Sequence, residues 1–267
     1  IKDYAVDVTW ETSTKQNLGI DLHTLKGDLV LQFDLFKDRR ENIFLQRSGV
    51  PDYVGLRKQE WGNLGIIDNS GFEVSVDWNK KFGDWRIGLR GNYTFNNSKI
   101  IEDDSPAKPY PWMESRGLPR HHRFGFVCEG FYTEDEINTL LTETDGNRTL
   151  ARPTDFDPES SNYLAGDLKY KDLNGDKIID LFDMKSIGYE QVPQIVYGFG
   201  TTIAYKSFSL GAFFQGVAKW DLSTLVGEFV PYVNGAAKGN VYADITKRWT
   251  PENQGVGAIY PDRKSVV

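Results

Sequence analysis

Apolar and polar residues alternate along several stretches of the chain with the period of two that a β-strand imposes. Between residues 85 and 96 the apolar positions on one side are Trp85, Ile87, Leu89, Tyr93 and Phe95, and polar residues dominate the other side. Residues 72–79 follow the same pattern, and a short polar link joins the two stretches. The pattern therefore predicts a β-hairpin whose strands each have one apolar and one polar face.

The same pattern predicts further strands. Residues 17–24 and 28–36 flank a tight turn at Lys26 and Gly27, and residues 197–205 and 208–214 form a third hairpin. A single strand is expected at 123–130, with Phe124, Phe126 and Cys128 on one side. Seven strands result, and the pattern at 4–10 allows an eighth.

The links inside the hairpins are short, whereas the stretches 37–71, 97–122 and 131–195 between them are long. Short turns at one end and long loops at the other are typical of outer-membrane barrels. The fold class predicted is therefore all-β: a segment of a large antiparallel transmembrane β-barrel with short periplasmic turns and long extracellular loops. One short helix is expected at 133–138, where Thr133 can cap and Glu136 follows three residues later.

A secreted β-sandwich would show the same alternation, because its inner faces are apolar and its outer faces polar. Two features favour the barrel. Aromatic residues lie near the strand ends, as in the aromatic girdles at membrane interfaces, and three long insertions are unusual for a sandwich. The girdle candidates are Trp78, Trp85, Tyr93, Tyr197 and Tyr205. A calcium-stabilised β-sandwich that binds carbohydrate stays the alternative.

Composition narrows the function further. The 267 residues are 39% hydrophobic, carry a net charge of −7 and include one cysteine, so neither a strongly basic nucleic-acid binder nor a disulfide scaffold is indicated. No stretch approaches the ~20 apolar residues of a membrane-spanning helix. Cys128 reads as a small packed or lipid-facing residue rather than a nucleophile. No G-x-S-x-G motif occurs, and nothing indicates an enzyme.

One loop carries a motif for a metal ion. Oxygen-bearing residues occupy positions 1, 3, 5, 7, 9 and 12 of a calcium-binding loop, namely Asp172, Asn174, Asp176, Ile178 (through its carbonyl), Asp180 and Asp183. Lys177 stands where the motif has glycine, and the last ligand is Asp rather than Glu. The predicted role of calcium is structural, stiffening the extracellular loop 166–195. The alternative is an acidic, solvated turn around Asn174 and Gly175.

Other polar and aromatic residues suggest weaker sites. Tyr110, Trp112 and Trp220 lie in predicted loops and can stack on sugar rings, although anchoring at the membrane interface explains them equally well. His121 and His122 are adjacent, so in a strand they would point to opposite faces. A polar rim before a strand is therefore favoured over a metal site.

Several sequence blocks resemble those of one transporter family. Residues 10–21 are similar to its W-E-x-T-x-x-x-N-x-G-x-D signature and read WETSTKQNLGID. Further blocks follow in the family's order: GNLGIIDNSGFE at 62–73, GDLKYKDLNGD at 166–176, YGFG at 197–200, FFQG at 213–216 and RWTPEN at 248–253. The blocks span residues 10–261 approximately, and on them the chain resembles SusC/RagA-type TonB-dependent outer-membrane transporters.

This resemblance implies a structure and a function. Residues 1–267 would be part of one 22-stranded β-barrel domain, lacking the N-terminal plug and the last strands. The family's partners would be a SusD-like surface lipoprotein that forms a lid, TonB, and outer-membrane lipid. The implied function is TonB-energised import of oligosaccharides or peptides across the outer membrane of a Gram-negative bacterium, without nucleic acid.

Overall fold

A computed structural model of the chain describes residues 8–49, 55, 59–143, 146–159, 162–222, 243–254 and 257–261. The elements are almost all strands: β1 Thr12–Thr24, β2 Leu29–Gln46, β3 Trp61–Phe82, β4 Trp85–Glu102, β5 Arg123–Gly125, β6 Cys128–Phe131, β7 Arg152–Pro153, β8 Leu168–Tyr170, β9 Ile178–Ile179, β10 Lys185–Ile187, β11 Ile195–Tyr205 and β12 Phe208–Ala218. Among the described residues the one α-helix, α1, spans Glu134–Thr142, and 3-10 helices lie at Leu25–Gly27, Pro111–Met113, Leu181–Asp183 and Ala243–Lys247. Within these ranges, no helix has the length and apolar character needed to cross a bilayer.

Two compact units make up the chain. The first comprises residues 1–123 and 188–221, and the second comprises residues 124–187 and 222–267. The first unit contains a six-stranded antiparallel sheet in the order β1-β2-β3-β4-β11-β12. The predicted all-β antiparallel fold is confirmed, and the described strands form an open sheet. The three hairpin turns are short, and the chain between β4 and β11 covers residues 103–194.

One face of the sheet carries a continuous apolar band. In register across the middle of the sheet, Phe33 of β2 lies opposite Val74 of β3, and Val74 lies opposite Tyr93 of β4. On β4 the band runs from Trp85 to Phe95, ten residue steps or about 34 Å along the strand. A tilt of 35–45° converts this length to roughly 25 Å, the height of the apolar band on membrane barrels.

Aromatic rings gather at both ends of this band. At the end with the short turns, the rings of Trp85 and Tyr205 lie 4.6 Å apart between centroids. At the other end, Phe72 packs on Tyr93 at 5.7 Å and on Phe95 at 5.8 Å. Trp and Tyr rings, with an apolar body and a polar tip, suit the boundary between lipid and water, so the positions of Trp85, Tyr93 and Tyr205 agree with the girdles expected from the sequence.

Strands β2, β3 and β4 continue well beyond the apolar band. The predicted loop 37–71 is wrong in its bounds, because β2 extends to Gln46 and β3 begins at Trp61. Charged residues occupy the outer face just beyond the band, where Arg39 lies 3.5 Å from Asp68 on the neighbouring strand. Hydrogen bonding between strands thus continues after the apolar pattern has ended, and the loop shortens to residues 47–60.

The strand predicted at 123–130 is also wrong. The segment forms two short strands, β5 and β6, which pair with β10 and β8 and take no part in the large sheet. Cys128 is exposed on β6, opposite Tyr170 of β8. Alternation over eight residues does not specify which partner a strand takes. Of the strand expected at 4–10, residues 4–7 lie outside the described residues, and 8–10 are not in a strand.

The second unit has a small core of its own. Tyr132, Ile137, Leu140 and Phe156 are buried together. Burial, with the nearby charges of Glu136 and Asp167, raises the pKa of Tyr132 to about 12. The helix predicted at 133–138 is confirmed and is longer, because α1 continues for another turn and places Ile137 and Leu140 on its buried side.

The capping box predicted from Thr133 and Glu136 is present at the start of α1. The Glu136 backbone N–H donates to the Thr133 hydroxyl at 3.2 Å, and the Thr133 N–H donates to the Glu136 carboxylate at 2.9 Å. The same carboxylate pairs with Lys169 at 2.8 Å. The two hydrogen bonds between Thr133 and Glu136 satisfy backbone N–H groups that the first turn of the helix would otherwise leave without partners.

Replacing Thr133 with Ala is expected to destabilise α1 by about 1 kcal/mol, since the N-cap acceptor is lost. Hydrogen exchange of the amides in 134–142 measures this change, and their protection should fall about fivefold. Thr142→Ala is a matched control, because Thr142 lies at the last residue of the helix, where its hydroxyl only donates to Asn138 O and Thr139 O. Equal exchange in both variants would contradict the role assigned to the cap.

Candidate functional site

The loop predicted to bind calcium is closely hydrogen-bonded to itself. Asp172 accepts from the backbone N–H of Gly175 at 2.6 Å and of Lys177 at 2.9 Å. Asn174 accepts from Asp176 N at 3.0 Å, and Asp176 accepts from Ile178 N at 2.8 Å. Successive side chains therefore fold the backbone into a series of tight turns.

The second half of the loop is held by Asp180 and Asp183. Asp180 caps the 3-10 helix Leu181–Asp183 by accepting from Phe182 N at 2.7 Å. Asp183 is fully buried and accepts from Leu173 N at 2.7 Å and from Asp180 N at 2.9 Å. Asp183 thus ties the two ends of the loop together.

Lys177 occupies the position at which the motif normally has glycine. Its φ of 67° is the left-handed conformation that this position requires, and its ammonium group donates to Thr149 O at 3.1 Å. Lys177 therefore adopts the left-handed backbone conformation of the turn at some cost in free energy. Its side chain bonds to a residue that is not among the predicted calcium ligands.

The donor set of this loop has the chemistry that a hard cation prefers, but its carboxylates point to backbone N–H groups. Among the described residues, no three His, Cys, Asp or Glu side chains come close enough together to share a metal ion. Each oxygen that accepts one N–H keeps a further lone pair. The residues can therefore hold calcium only after several carboxylates rotate toward a common centre, and the site stays a prediction.

The structure brings together two of the three aromatic residues predicted to contact cargo. Tyr110 is the N-cap of the 3-10 helix Pro111–Met113 and Trp112 is its middle residue. Their rings stack with centroids 4.6 Å apart at an angle of 8°. Each ring therefore covers one face of the other. Trp220 follows β12 and is exposed. A role for these rings in binding stays a prediction.

The polar face of the large sheet contains a cavity of about 240 Å³ that the sequence did not predict. Three strands supply its floor, with Asn69 of β3 opposite both Asp38 of β2 and Ser98 of β4. Asn96 lies one position further along the face. The segments 120–121 and 190–194 close the side of the cavity.

Both histidines lie in a turn that ends at this cavity. The His121 backbone N–H donates to the Glu190 carboxylate at 3.4 Å, and His121 lines the cavity. The His122 Nδ1 atom lies 2.7 Å from Pro119 O. This arrangement agrees with the polar rim expected before a strand, and the two residues lie in a turn that precedes β5.

An antiparallel sheet with an apolar band on one face, aromatic rings at both ends of the band and polar groups on the other face is the wall of a membrane β-barrel. The outer residues are exposed on the sheet itself, for example Leu18, Phe199 and Phe214. Lipid is the medium that such a band contacts, and the polar face turns toward the lumen.

Comparison with known proteins identifies the family. Residues 3–244 match the model of the TonB-dependent receptor-like β-barrel family, so the chain belongs to that family. The curated TonB-dependent receptor P3 of Formosa agariphila is 27% identical over 98% of this chain, and TonB-dependent receptor P39 of the same organism is 23% identical over 91%. The chain spans about 25% of the length of each relative.

Among solved structures, the RagAB peptide transporter superposes with a TM-score of 0.55 at 16% identity, covering 80% of this chain and 21% of that one. At this identity the likeness shows the fold alone. With the family match, it confirms the predicted resemblance to SusC/RagA-type TonB-dependent transporters. This family comprises receptors and transporters of the outer membrane rather than enzymes.

Proposed function

We propose that the gene product carrying this chain imports a nutrient across the outer membrane of a Gram-negative bacterium, energised by TonB. The observation that carries this proposal is the two-faced sheet, with its apolar band outside and its polar cavity inside, in a chain of the TonB-dependent receptor family. The cargo class proposed is an oligosaccharide or a peptide, and residues 1–267 form part of one barrel domain.

The proposal includes a SusD-like surface lipoprotein as partner and lid. The support is the fold that this chain shares with a solved structure, the RagAB peptide transporter. In this arrangement the long connections between β2 and β3 and between β4 and β11 face the outside, and the short turns face the periplasm. The extracellular loop predicted at 166–195 falls within the second connection, apart from Ile195, which begins β11. The alternative, a secreted carbohydrate-binding sandwich, lacks support from the single-layered six-stranded sheet.

Gene deletion tests the transport function. Loss of the gene is expected to abolish growth on one oligosaccharide or peptide supplied as sole nutrient, and loss of TonB should have the same effect. Complementation with the intact gene restores growth, and affinity purification of the restored protein should recover a surface lipoprotein. Recovery of the protein in the aqueous fraction, or uptake that does not depend on TonB, would contradict the proposal.

We propose a structural role for calcium at Asp172, Asn174, Asp176, Ile178, Asp180 and Asp183. The predicted result is saturable binding of one calcium ion by calorimetry, with slower proteolysis of the segment 166–195. Asp176→Ala should abolish that binding, whereas Asp157→Ala, an acidic turn residue outside the loop, should leave it unchanged. Absence of a calcium-dependent signal in the parent protein would refute the site and leave the acidic turn as the explanation.

A further inference from the structure

The cavity on the polar face is rich in hydrogen-bond acceptors that the described part of the protein does not use. The side-chain oxygens of Asn69 and Asn96 are buried and have no hydrogen-bond partner there. The carboxylates of Asp38 and Glu190 line the same cavity. Buried acceptors without a donor are costly, and most native proteins provide a partner for them.

Glu190 is the most constrained of these groups. The residue is only 6% exposed, and its carboxylate accepts the His121 backbone N–H at 3.4 Å, near the limit for a hydrogen bond. A carboxylate in such surroundings gains most from a donor that also carries positive charge, because charge-assisted hydrogen bonds are about twice as strong as neutral ones.

Two arginines, Arg40 and Arg120, also line the cavity, but neither forms an ion pair with Glu190 in the described part of the chain. The guanidinium of Arg40 pairs with Glu11 at 3.2 Å. Arg120 is exposed, and its backbone N–H donates to the Ser98 hydroxyl. Asp38 receives the Ser13 hydroxyl on one carboxylate oxygen and keeps its other oxygen as an acceptor. Glu190 and the two asparagine oxygens, which receive no side-chain donor among the described residues, are the acceptors with the most to gain from a ligand.

We propose that this cavity binds a primary ammonium group of the cargo and that Glu190 is the residue that determines this specificity. An ammonium group has three donors and no acceptor, so it matches Glu190, Asn69 and Asn96 without bringing lone pairs of its own. A hydroxyl group has one donor and two acceptors and matches this set less well. The proposal rests on the proposed function in that the cavity must face the lumen.

Binding of matched small probes to the purified gene product in detergent tests the proposal. Glucosamine and glucose differ by one ammonium group in place of a hydroxyl, and the peptide Gly-Lys-Gly-amide is compared with its Nε-acetylated form. Calorimetry or saturation-transfer NMR should show at least tenfold tighter binding of the amine in one of these pairs. The pair that shows the preference identifies an amino sugar or a lysine side chain as the source of the ammonium group.

Glu190→Gln keeps the size of the side chain and removes its charge, and it should weaken amine binding at least tenfold. Glu129→Gln makes the same change at an exposed residue of β6 and should have no effect on amine binding. Equal binding of amine and neutral probes, unchanged binding in Glu190→Gln, or no amine binding at all would each overturn the proposal. Transport that persists in these cases would leave the proposed function intact, so the two can fail separately.

Discussion

Replacing Val74 with Arg is expected to lower the free energy of unfolding of the barrel in lipid by about 2–4 kcal/mol. Val74 lies at the middle of the apolar band, between Phe33 and Tyr93 on the neighbouring strands. A guanidinium at this depth must be taken into the hydrocarbon region, which is costly near the midplane of the bilayer. Denaturant titration of the protein refolded into lipid vesicles measures the change.

Ser75→Arg is the matched control for this variant. Ser75 is the next residue, points to the polar face and bonds to Gln32 at 2.9 Å. Its replacement loses one hydrogen bond but leaves the charge in the aqueous lumen, so the cost should stay within about 1.5 kcal/mol. A larger effect at Ser75 than at Val74 would mean that the two faces have been assigned the wrong way round.

Gly71→Ala is expected to destabilise the sheet by about 1–3 kcal/mol, because no space exists for a side chain. A Cβ atom at residue 71 would overlap the backbone carbonyl of Phe95 and come within 2.6 Å of the Phe36 ring. The carbonyl belongs to the neighbouring strand, so relief requires the pairing of β3 and β4 to shift. Heat-modifiable gel mobility and denaturant titration both report this loss.

Gly91→Ala provides the comparison within the same sheet. The nearest atom to a Cβ at residue 91 is the Gly198 carbonyl oxygen at 3.7 Å, an ordinary van der Waals distance. The free energy of unfolding should therefore change by less than about 0.5 kcal/mol. Similar losses for both variants would contradict the role assigned to the close approach at Gly71, because the entropy of the unfolded chain favours alanine over glycine at both positions.

The apolar pattern predicted the membrane-facing part of the fold and little beyond it. The hairpins 72–79 with 85–96 and 197–205 with 208–214 were found because lipid on one side and water on the other impose alternation. The pattern predicts a loop over residues 37–46 and 61–71 because apolar and polar residues do not alternate there. These parts of β2 and β3 are paired by backbone hydrogen bonds and by contacts such as that of Arg39 with Asp68. Such contacts do not require apolar residues at every second position, so the sequence shows no alternation there.

The cavity could not be predicted for a different reason. Asn69, Asn96 and Glu190 are separated by tens of residues, and only the register of β2, β3 and β4 brings the first two together. By contrast, the capping box of Thr133 and Glu136 depends on residues three apart, so the sequence was sufficient. The motif at 172–183 is equally local, but the direction of each carboxylate depends on the folded loop.

The orientation of the sheet in the membrane is the central claim, and spin labels along β3 test it most directly. Single cysteines at 72–79 in a cysteine-free version of the gene product, reconstituted in vesicles, would be labelled and their collision with oxygen measured. The account predicts high oxygen accessibility at Phe72, Val74, Val76 and Trp78 and low accessibility at the other four positions, 73, 75, 77 and 79. Uniform accessibility along β3, or the opposite phase of alternation, would contradict it.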